Sequence, residues 1–115
     1  MLVIRKAQMD TLDAHSRQAF RRRMFQHVAA DFPQRSAELG PEGVQRLVET
    51  SIGKGFEYGI SSEDDLQGFV DLTVEIGPDF EERADLQWAR EILEKESLSG
   101  HGKIELIQQL RAGAK

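Results

Sequence analysis

The sequence predicts an all-α protein: an irregular bundle of about six helices forming a single domain over residues 1–115. Three observations carry this expectation. Apolar residues recur at helical spacing from residue 6 almost to the end of the chain. Glycine, proline and serine fall where those runs break. No stretch sustains the two-residue alternation of a strand, and only Met1–Ile4 suits an extended or disordered conformation.

The elements follow in order. Lys6–Ala14 reads as a short first helix with Ala7, Met9 and Leu12 available for burial. Ser16–Asp31 reads as a longer one, because Phe20, Met24 and Val28 fall at i, i+4 and i+8. Pro33 ends that run by pushing Phe32 out of the α region. Pro33–Leu39 is expected to add a turn that Gly40 stops, and Pro41 suits the first position of the next helix. That helix carries the cleanest apolar stripe, Val44, Leu47, Val48, Ile52 and Phe56, and closes at Gly59 with Ile60 folding back. Gly53 and Gly55 each cost about 1 kcal/mol against Ala in a helix interior. Two such costs so close together point to a packing demand or a kink.

Ser61-Ser62-Glu63-Asp64-Asp65 is a helix start, with a hydroxyl to cap a free amide and carboxylates at the positive end of the dipole. Leu66, Phe69, Val70, Thr73 and Val74 form the buried face, and Gly77-Pro78 stops it. A loop over Asp79–Ala84 leads to a helix over Leu86–Lys95, a break over Ser97–Gly102, and a last helix over Lys103–Arg111, with 112–115 frayed. The expected core is Phe20, Met24, Val28, Val44, Leu47, Val48, Ile52, Leu66, Phe69, Val70, Val74, Ile92 and Leu93.

Composition narrows the function classes. The chain has 39% hydrophobic and 30% charged residues, values of an ordinary globular protein. A net charge of −5 argues against a general affinity for nucleic acid. Without cysteine there is no disulfide framework, thiolate zinc site or cysteine nucleophile. No run of about 18 apolar residues exists to span a membrane, and the start lacks a secretory pattern, so the expected location is the cytoplasm. Charge is unevenly spread. Residues 1–35 hold seven Lys/Arg against three Asp/Glu, while residues 63–85 hold nine Asp/Glu against Arg83 alone. Such asymmetry means either faces that attract each other within the fold or a charged docking surface.

No catalytic, metal or cofactor site emerges, and no small-molecule substrate is implied. His15 and His27 lack the i, i+4 spacing of a helical metal pair, and His101 lies in a glycine-flanked turn. Asp79, Glu81 and Arg83 would open an EF-hand-like loop, but the third is a cation and the required glycine is Ala84. Asp71 and Glu75 share one helix face at i, i+4 and read as solvated. Gly53-Lys54-Gly55-Phe56-Glu57-Tyr58-Gly59 fits neither phosphate-loop fingerprint and reads as packing plus a helix cap. Arg21-Arg22-Arg23 is the one dense basic cluster, though about 100° of rotation per residue spreads it around the helix.

The candidate partner-binding residues are therefore Asp79, Phe80, Glu82 and Trp88, with Arg21 and Arg22. An aromatic residue beside carboxylates can form a hot spot with a charged rim. The alternative is that Phe80 and Trp88 seal the base of the bundle.

Several pieces in fixed order carry a resemblance: Ile4-Arg5-Lys6-Ala7-Gln8-Met9, His27-Val28, Asp31-Phe32-Pro33, Phe56-Glu57-Tyr58-Gly59-Ile60, Ser62-Glu63-Asp64, Ile76-Gly77-Pro78-Asp79-Phe80 and Trp88-Ala89. Over residues 4–93 the chain resembles the small helical proteins encoded in type VI secretion effector clusters, commonly beside an adaptor chaperone that loads a toxin onto the secretion spike. The group tends to have prolines before its Trp-Ala pair, and Glu82–Gln87 has none. The resemblance implies a non-enzymatic accessory role, as a co-chaperone or adaptor subunit whose partners are a secreted toxin effector, its adaptor chaperone, or both. Its alternative is an immunity protein that blocks a cognate toxin, a role that the acidic stretch suits.

Overall fold

The computed structural model describes residues 14–113, and the side chains of 16–111. Its order is α1 (Ala14–Asp31), α2 (Pro33–Glu57), α3 (Glu63–Ile76), two 3-10 turns (Phe80–Glu82 and Ala84–Leu86), α4 (Gln87–Leu93) and α5 (Gly100–Gly113). No strand occurs among the described residues. The expected extended Met1–Ile4 lies outside them, as does the expected helix over Lys6–Ala14 except for Ala14 itself. None of the described helices is long and apolar enough to cross a membrane.

α1 packs on α2 and α3, α2 packs on α3, and α5 closes the bundle against α3 and α4. The expected core residues are all buried except Ile52, which is half-exposed. Ile60, Leu72, Phe80, Ala89, Ile104 and Ile107 complete the core.

Local chemistry sets most boundaries. Gly40 adopts φ 75° and ψ 165° inside α2, so the turn from Pro33 and the helix from Pro41 are two helical pieces joined at that glycine. α2 ends in a Schellman motif. The Ile60 amide donates to the Gly55 carbonyl at 2.8 Å and the Gly59 amide to Phe56 at 3.1 Å, with Gly59 at φ 81°. Ser62 caps α3 as its sequence implies, its hydroxyl accepting from the Asp65 amide at 3.1 Å. Gly77 ends α3 at φ 130°, a conformation that a side chain would strain.

Two boundaries differ from expectation. The expected Asp79–Ala84 loop is largely wound as 3-10 turns that run on to Leu86, and α4 ends at Leu93 instead of Lys95, which leaves it seven residues. α5 begins at Gly100 instead of Lys103. Ser99 makes this possible: its hydroxyl accepts from the Gly102 amide at 3.0 Å and its carbonyl from the Lys103 amide at 2.9 Å.

Only one of the two costly glycines of α2 answers a packing demand. A Cβ on Gly55 would stand 2.5 Å from Leu66 Cδ2, so the close approach of α2 and α3 is the packing demand. Gly53 has nothing within 4 Å of that position, and the structure gives no reason for it. At Gly100 a Cβ would meet backbone, the Gly59 carbonyl oxygen and Ile60 Cα, both at 2.9 Å.

Urea unfolding should separate these positions. Gly53→Ala is expected to stabilise the fold by about 0.5–1 kcal/mol. Gly100→Ala is expected to cost about 1–3 kcal/mol, because backbone has to move. Leu93→Ala should cost about 2–5 kcal/mol. Equal stabilities for the two glycine variants would contradict the close approach of Gly100 to Gly59 and Ile60.

Candidate functional site

Two regions hold the sequence-predicted site residues, and they do not meet. The first lies between the last turns of α2 and the chain that follows α3. Lys54 lies in the last turn of α2 and Tyr58, its C-cap, stands one helical turn on; Gly77 delivers the chain to Asp79, which takes the left-handed conformation at φ 59°. The Lys54 ammonium pairs with Asp79, lies 2.9 Å from Glu81 Oε2 and lies 3.7 Å from Glu82 Oε2. The Tyr58 hydroxyl donates to the same Glu81 oxygen at 3.1 Å. Glu81 is only 2% exposed.

Electrostatics fixes the protonation of this knot. Burial acts to lower the Lys54 pKa, but hydrogen bonds to Asp79 and Glu81, and their charges, outweigh it and raise the pKa above the usual lysine value. Burial first, then the Glu81 carboxylate, pushes the Tyr58 phenol up to about 12. Lys54 therefore stays an ammonium and Tyr58 a phenol at neutral pH, and neither is poised to move a proton. Oxygens of Asp79, Glu81 and Glu82 lie within 4.8 Å of one another, a hard-cation donor set. The cation that they share is Lys54.

Phe80 turns inward. It is fully buried, its ring 5.8 Å from that of Phe69, so it cannot offer contact area to a partner. Trp88 is half-buried and packs on the core. Both sit where the sealing alternative puts them. Asp79 and Glu82 are exposed but committed to Lys54. Glu81, between them in sequence, is interior.

The second region is the α1–α2 surface. Arg21 and Arg22, both exposed, line a groove of about 420 Å³ with Phe25, Val48 and Glu49. Arg21 and Glu49 also line a neighbouring groove of about 350 Å³ with Phe20, Ile52, Phe56 and Leu66. Arg23 lines neither groove, but its guanidinium lies over the Phe20 ring and 2.7 Å from Glu63, two residues that border the second.

The acidic stretch is largely paired within the fold. Besides the Lys54 group, Glu63 meets Arg23, Asp65 meets His101, Glu75 meets Arg111 and Asp85 meets Arg83. Asp71 is not solvated as expected. It lies 2.7 Å from His27 Nε2, and burial raises its pKa, with the His27 hydrogen bond offsetting part of the rise. Its expected face-mate Glu75 turns to α5 instead. His101 is exposed, and its pKa is raised by its hydrogen bond to Asp65 and by the charges of Asp65 and Glu105.

No protein-family model, curated protein or solved structure matches the chain.

Sequence reasoning missed Lys54, Tyr58 and Glu81. The available signal was the i, i+4 placing of Lys54 and Tyr58 on one face of an otherwise apolar stripe. The knot has a direct spectroscopic test because Tyr58 is the sole tyrosine. Folding raises its pKa, so its stabilising contribution is complete below about pH 10 and is lost as pH rises from 10 toward 12. Phenolate absorbance should show a midpoint near 12 in the folded protein. Glu81→Gln should move that midpoint down. A midpoint of 10 in folded protein would remove Glu81 as the phenol's partner.

Proposed function

We propose that this protein is a non-enzymatic binding accessory, a co-chaperone or adaptor subunit acting on a type VI secretion toxin or its adaptor chaperone. The observation that carries the reading is the α1–α2 surface. There Phe25, Ile52 and Phe56 lie half-buried in adjoining grooves flanked by the exposed cations Arg21 and Arg22. Apolar anchors with an arginine rim suit an amphipathic helix of a partner with an acidic flank. The resemblance of residues 4–93 supplies the kind of partner. The immunity alternative drew its strength from the acidic stretch, and internal ion pairing of that stretch makes it a weaker inhibitor surface for a basic toxin.

Co-expression with a type VI secretion toxin and its adaptor chaperone tests the reading. The expected result is a ternary or binary complex with the chaperone and higher recovery of soluble toxin. Arg21→Glu with Arg22→Glu should leave melting nearly unchanged and slow association several-fold at low salt, with the difference shrinking at high salt. Direct inhibition of purified toxin in the absence of the chaperone would replace this reading with the immunity one.

A further inference from the structure

A cavity of about 270 Å³ opens beside the Lys54 knot, between the middle of α2 and the Pro78–Glu81 segment. Leu47 and Phe69 line its apolar part, while Ser51, Lys54, Asp79 and Glu81 line its polar part. Ser51 and Glu81 are each only 2% exposed. The Ser51 hydroxyl and Glu81 Oε1 have no hydrogen-bond partner among the described residues. Glu81 uses only Oε2 toward Lys54 and Tyr58, so half of a buried carboxylate lacks a donor. An unsatisfied buried polar group costs about 1–3 kcal/mol, more when it is charged.

We propose that this cavity is a pocket for an arginine side chain of a partner protein. The charges that line it, Lys54 and Arg46 against Asp79 and Glu81, balance, and Glu82, outside the lining but 3.7 Å from Lys54, tips the surroundings negative. A carboxylate oxygen on one element and a hydroxyl on another ask for donors in more than one direction. A guanidinium carries five in a rigid plane, and the aliphatic stem behind it suits Leu47 and Phe69. The cavity is many times the roughly 30 Å³ share of one water, a size for a side chain. Exposed Arg46 and Thr50 stand among its lining residues, so the ligand enters from outside the bundle. The inference rests on the protein-binding reading only for the source of the arginine.

The test titrates the intact protein with a blocked Ala-Arg-Ala peptide, followed by amide NMR. Shifts are expected at Ser51, Lys54, Thr73 and Asp79–Glu81, with none from the same peptide bearing citrulline, which keeps the shape and loses the charge. Glu81→Gln should weaken binding at least about tenfold. Ser51→Ala should weaken it about threefold while leaving melting unchanged or higher, and it remains informative if the Glu81 variant fails to fold. Equal binding of the citrulline peptide, binding of agmatine but not of the peptide, or full affinity in both variants would overturn the assignment. Arginine-peptide binding that persists when the chaperone is not captured separates this pocket from the adaptor role.

Discussion

A buried carboxylate held between α2 and the turn after α3 governs how the rest of the bundle closes. Glu81 can leave water only because Lys54 and Tyr58 reach it from a single turn of α2. That requirement fixes the rotation of the last turns of α2, and with it everything those turns touch. Gly55 faces Leu66 on α3, and Ile60 folds back into the core. The Tyr58 carbonyl, at the negative end of α2, accepts a hydrogen bond from buried Lys103 on α5 at 2.6 Å. One end of one helix thus sets the register of three neighbouring segments.

The parts of the fold that were legible in the sequence are those written in local chemistry. Ser62, Gly59 with Ile60, Gly40 before Pro41, and Gly77-Pro78 each act within a few residues of where they stand, so neighbours in sequence suffice to read them. The core was legible for the same reason, because period and burial coincide along each helix. Glu81 was not legible, since an acid in an acidic run is normally solvated and its partner lies 27 residues earlier. Lys103 was hidden in the same way, with its acceptor 45 residues away. Trp88 was placed correctly in the chain, but whether it faced a partner or the core depended on the packing of α4.

Charge segregation along the chain is resolved mainly inside the molecule. Four of the five acidic residues of α3 face cations and histidines contributed by α1 and α5, so most of the formal charge of this helix is matched within the fold. Arg21 and Arg22 keep their charge at the surface, beside apolar grooves. Most of these pairs are exposed and contribute little stability individually. Their effect is on orientation: α1 and α5 are each matched to one side of α3.

The contact between Lys103 and the end of α2 also bears on how the protein is made. Everything that α5 covers is synthesised before α5 exists, and Gly100 must reach within van der Waals distance of Gly59 and Ile60 for the helix to seat. A nascent chain ending near Leu93 has its earlier helices in hand but leaves the Tyr58 carbonyl, and the faces of α3 and α4 that Ile104 and Ile107 cover, open to water and to other chains. Closure therefore waits for the fourteen residues of α5. A ribosome that stalls before them holds an adhesive, unclosed bundle.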